Sequence, residues 1–130
     1  MKNILILLNI SITGILLVFL GFLIILNPRV LFETNQVELG TDPNLLSEIK
    51  APGGALLAFG LLLCFSLVRS KIRTMALGST AVFLLGYGFA RIVSIAFDGM
   101  PAPSLVTAMV MEIGLGLVCL WAGVQTKENF

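Results

Sequence analysis

Four long apolar runs, at about 4–26, 52–68, 74–97 and 104–124, constrain this chain more than any other feature. A helix needs roughly 20 apolar residues to cross a bilayer, and each run reaches or nears that length. Only short polar breaks separate them, apart from one longer segment, 27–51. Inside a bilayer core only a helix or a closed barrel satisfies its own backbone, and runs of this length read as helices. The expected fold is all-α: a single four-span domain over 1–130, an integral-membrane up-down bundle with short turns joining antiparallel neighbours.

Composition agrees. The 130 residues are 58% hydrophobic and 12% charged, about half the charged fraction of a soluble domain, and mean hydropathy is +1.05. No length remains for a soluble domain. The net charge of +1 and the lack of a long basic cluster argue against nucleic acid as a partner. With no histidine, and with Cys64 and Cys119 both inside apolar runs, neither a metal site nor a bound cofactor is expected. Both cysteines read as packing residues.

The first run is longer than a signal-peptide core and ends in Leu-Asn-Pro-Arg without a small-x-small cleavage site. It is therefore expected to stay as an anchor. In segment 27–51, Asp42 and Pro43 read as the N-cap and first position of a short helix that lies at the membrane surface or leads into the second span. Pro52-Gly53-Gly54 is expected to interrupt the entry to span two. Gly14 and Gly21 share one face of span one, and Gly53, Gly60 and Cys64 share one of span two, spacings at which helices approach closely. Residues 125–130 read as a polar tail, with Trp121 as an interfacial anchor.

Lys2, Arg69, Lys71, Arg73 and Lys127 fall on one side of this scheme, and Arg29 and Lys50 on the other. The positive-inside rule then places both termini and the 69–73 turn in the cytoplasm, with 27–51 and 98–103 facing outward. A multi-pass protein of the inner, cytoplasmic membrane is the expectation.

Two charges cannot be placed outside the hydrocarbon. Arg91 lies about seven residues inside the outer end of span three, and Glu112 about eight inside that of span four. At 1.5 Å per residue both sit about 10–12 Å below the turn joining the two spans. A lone charge at membrane depth costs at least ~2.5–3.5 kcal/mol, so a buried Arg91–Glu112 ion pair is expected. Tyr87, Arg91, Ser94 and Asp98 share one helical face; Tyr87 and Ser94 are candidate extra donors, and Asp98 and Glu48 candidate further partners of Arg91. On span four, Ala108, Glu112, Gly116, Cys119 and Gly123 form a facing stripe of small residues around the carboxylate.

These residues also carry a resemblance. Asn27-Pro28, the stretch Ser47-Glu48-Ile49-Lys50-Ala51-Pro52-Gly53-Gly54, and Gly88-x-x-Arg91-x-x-Ser94-x-x-x-Asp98-Gly99-x-Pro101 resemble a widespread family of short bacterial four-helix membrane proteins known only as a domain of unknown function. The resemblance covers almost the whole chain. It implies four spans and draws attention to Glu48, Arg91, Asp98 and Glu112, but implies no activity, cofactor or partner. Lys50 stands where many relatives are expected to carry arginine, keeping a charge without the bidentate fork.

Two readings of the pair stand side by side: a lock that fixes helix register, or the polar end of a pocket open to the outer face. The second makes the chain a binding or accessory membrane protein. Its partners would be the bilayer, a lipid or small amphiphile, and a second copy or a larger membrane complex. An oligomeric proton-coupled transporter is the alternative. A membrane-embedded lipid-modifying enzyme is less favoured, since no histidine, metal set or nucleophile–base pair supports one.

Overall fold

The computed structural model describes residues 1–128, and its described residues form five α-helices and one short 3-10 turn. Helix α1 spans Lys2–Leu26, α2 Pro28–Thr34, α3 Pro43–Val68, α4 Arg73–Asp98 and α5 Pro103–Glu128, with the 3-10 turn at Ser70–Ile72. The four long helices are long and apolar enough to cross a membrane. The chain is a multi-pass membrane protein. Large apolar side chains such as Phe19, Val82 and Phe97 project outward unburied, an exterior suited to lipid rather than water.

Local chemistry sets the breaks. The residue before a proline disfavours the helical region, and Asn27 leaves it (φ −145°, ψ 72°), ending α1. Pro28 then opens α2. That helix closes with Val37 N–H donating to Phe32 C=O and Gln36 N–H to Glu33 C=O, both at 2.9 Å. This is a Schellman cap, with Gln36 at φ +62° where glycine is usual. Asp42 caps α3 by accepting from Asn44 N–H at 2.9 Å. Arg73 Nη2 donates to the Ser66 and Leu67 carbonyls at 3.3 and 3.4 Å, satisfying the end of α3. Gly99 makes the turn from α4 to α5 at φ +100°, ψ −178°, a conformation nearly confined to glycine.

Three features differ from the sequence reading. Helix α3 runs through Pro52 without the expected interruption, so the helix opened by Asp42 leads directly into the spanning segment, one of its two expected courses. A proline inside a helix removes one hydrogen bond, and the rest of the ladder carries the helix past it. Second, α2 occupies part of segment 27–51, where no helix was expected before Asp42. Third, α5 continues to Glu128 where a tail was expected; residues 129–130 of that stretch lie outside the described residues.

The long helices associate as two antiparallel hairpins. In the first, α1 and α3 meet through glycine. A Cβ on Gly21 would stand 2.6 Å from Leu57 N and 2.8 Å from Gly53 O, and one on Gly60 would stand 2.6 Å from Val18 N. The backbones themselves touch. In the second hairpin, α4 and α5 close over Gly88, against Ile113, and over Gly116, where a Cβ would lie 2.9 Å from Leu85 Cγ.

The hairpins join mainly at the end that carries the termini and the 3-10 turn. Ile6, Ile10, Leu63, Ala76, Leu77, Ala81, Cys119 and Ala122 are buried together there. Phe59 of α3 stacks on Phe83 of α4 with centroids 4.3 Å apart, and Cys119 Sγ lies 3.5 Å from Asn9 Oδ1, linking α5 to α1. Toward the opposite end this core runs out beyond Leu17 and Leu84. There the space between the hairpins opens.

Candidate functional site: a cavity between the hairpins

That opening is a cavity of about 670 Å³, lined by residues from all five helices. Its depth is apolar: Leu17 and Leu20 from α1, Leu56 from α3, Leu84 from α4, and Met111 and Leu115 from α5. Its polar groups gather toward the end away from the termini, where Tyr87, Arg91, Glu112, Glu48, Asn35 and Ser104 line it.

Arg91 and Glu112 meet across the second hairpin. Arg91 Nε donates to Glu112 Oε2 at 2.8 Å and Nη2 donates to Oε1 at 3.0 Å, a bidentate fork. It is the one salt bridge among the described residues, and its side chains remain 31% and 16% exposed. The expectation of a buried ion pair is corrected here. The pair is half-buried because the hairpins have parted at its level, so one side faces α4–α5 packing and the other the cavity.

The other predicted residues divide. Tyr87 lines the cavity one turn from Arg91, its ring against Phe83 at 4.9 Å. Glu48 reaches the cavity from α3 and is exposed at its mouth. Ser94 and Asp98 do not join them. Ser94 Oγ donates to Asp98 Oδ2 at 3.0 Å, both side chains exposed. Their i, i+4 spacing lets them satisfy each other locally. Among the described residues no hydrogen bond joins Tyr87, Ser94 or Asp98 to the pair.

The sequence reading missed the cover. Helix α2 and the residues after it contribute Leu31, Phe32, Asn35 and Val37 to the cavity wall. Ser104 Oγ, at the start of α5, donates to Asn35 Oδ1 at 2.8 Å, tying the cover of one hairpin to the other. Pro28, ready for the first position of a helix, was the available signal for α2. Nothing in sequence links positions 35 and 104.

Pro52 also lines the cavity, one helical turn after Glu48. Lacking an N–H, it has nothing to donate to the Glu48 carbonyl. Glu48 itself brings an exposed carboxylate to that part of the wall.

Four apolar spans in two glycine-packed hairpins, with a polar-ended cavity between them, define a small multi-pass membrane protein with an internal cavity. The chain belongs to the family described as Domain of unknown function (DUF4345), whose model matches residues 6–123. No curated protein and no solved structure matches it.

Proposed function

We propose that the protein binds a lipid or small amphiphile in the cavity between its hairpins, with the apolar tail among the leucines and the head group at the Arg91–Glu112 pair. One observation carries this reading: the only salt bridge among the described residues keeps a face open to a cavity of about 670 Å³. That volume falls within the range of about 300–1,000 Å³ typical of small-molecule sites. A register lock alone requires only the contact between α4 and α5 and makes no use of a cavity beside the pair.

The excess of Lys and Arg at the end bearing the termini supports a cytoplasmic location for that end. The cavity's polar end then opens on the outer side of the cytoplasmic membrane, within reach of molecules entering from the outer leaflet.

Native mass spectrometry of the protein released from its own membranes tests the proposal. The wild type should carry an adduct of small-amphiphile mass, and Ala108→Trp, which fills the cavity beside Glu112, should lose it while staying folded. An equal adduct on both would contradict the proposal. Ligand-dependent proton or solute flux in proteoliposomes would extend the reading from binding to carriage.

A further inference from the structure

The amphiphile-binding reading leaves the head group's charge open, and resting on that reading, we propose that the cavity selects a positively charged head group, an amine or quaternary ammonium on a single apolar chain. An arginine in a membrane cavity first suggests an anionic ligand. The geometry argues otherwise. The Arg91 guanidinium already gives two of its donors to Glu112 at 2.8 and 3.0 Å, so its charge is matched one for one. Glu48 is the remaining ionisable carboxylate on the wall. With Arg91, Glu112 and Glu48 all charged, the cavity carries one net negative charge.

This end of the molecule as a whole, the cavity included, has the same sign. Arg29, Lys50 and Arg91 are its cations, against the carboxylates of Glu33, Glu38, Asp42, Glu48, Asp98 and Glu112, so it carries a net charge of −3. A mouth of one sign draws in ligands of the other. The exposed Glu48 carboxylate on α3 offers the head group a full opposite charge at the mouth. Tyr87 and Phe32 both line the wall, and aromatic rings attract ammonium groups. The N-terminus of α5 opposes this preference, because it also borders the cavity. A helix end contributes only about half an elementary charge, less than the full charge of Glu48.

Three probes sharing one ten-carbon chain provide the test: decyltrimethylammonium, decanol and decanoate. Binding is measured by calorimetry on the full chain in nanodiscs of zwitterionic lipid, with empty nanodiscs as the reference for simple partitioning. The proposal expects decyltrimethylammonium to bind about tenfold more tightly than decanoate. Glu48→Gln should remove most of that preference; its side chain is exposed, so the substitution does not disturb packing. Tighter binding of decanoate, or ammonium binding unaltered by Glu48→Gln, would overturn the charge selection while leaving the binding reading standing. If no probe binds above the empty nanodiscs, the binding reading fails and the charge selection with it.

Discussion

Arg91 and Glu112, 21 residues apart, meet as a bidentate pair at 2.8 and 3.0 Å because two antiparallel helices joined by a short turn bring them to the same depth. Helix rise is fixed at 1.5 Å per residue, so the match depends on the length of the 99–102 turn and on the close approach of α4 and α5 at Gly88 and Gly116. Removing one partner should cost more than removing both. Arg91→Met leaves a carboxylate at membrane depth without its cation, and should destabilise the fold by about 2 kcal/mol, below the range for fully buried pairs because the cavity keeps one side accessible. Arg91→Met combined with Glu112→Leu should recover most of that loss in thermal unfolding in detergent, yet fail to bind amphiphile. A single variant as stable as the wild type would show that the pair carries no structural coupling.

Glycine substitutions should separate contact from flexibility. Gly21→Ala places a Cβ 2.6 Å from the Leu57 backbone nitrogen, a clash no side-chain rotation relieves, and should cost about 2–3 kcal/mol. Gly54→Ala, with nothing within 4 Å, should be neutral or stabilising by up to about 1 kcal/mol. Thermal unfolding of the two variants in parallel checks the contrast.

The cover should loosen independently of the hairpins. Ser104→Ala removes the hydrogen bond to Asn35 at 2.8 Å, and hydrogen exchange should rise over 28–37 while the α1–α3 contact stays protected. Gln36→Gly should act in the other direction, relieving about 1 kcal/mol of left-handed strain at the α2 cap and slowing exchange in the same segment.

The orientation is testable with an impermeant maleimide. Met100→Cys, in the turn at the cavity end, should label in intact cells. Lys71→Cys, in the turn at the other end, should label only after permeabilisation. The opposite pattern would invert the topology.

The four spans were legible because apolar run length and polar breaks act locally, and the level of Arg91 and Glu112 was legible because helical rise is constant. The small-residue faces of Gly14, Gly21, Gly53 and Gly60 likewise pointed to the contact that α1 and α3 make. What escaped the sequence depends on how helices lean against one another. A helical face does not reveal whether a polar residue reaches a neighbour or pairs within its own helix, and Ser94 and Asp98 do the latter. A chain of letters does not show a gap between hairpins, so the pair read as buried proved half-open. Pro52 signalled a break, but one missing hydrogen bond did not end α3. The Asn35–Ser104 contact joins residues that share no periodicity, and only the folded arrangement brings them together.

On the proposed function, the space beside Arg91 and Glu112 holds an amphiphile. A crystal structure of the protein grown in a lipidic phase tests it most directly. The expected result is elongated density between the hairpins, its tail beside Leu84 and its head group within about 3 Å of the polar atoms of Glu48 or the Arg91–Glu112 pair. Hairpins closed together over a dry, fully packed ion pair, with no cavity between them, would contradict it.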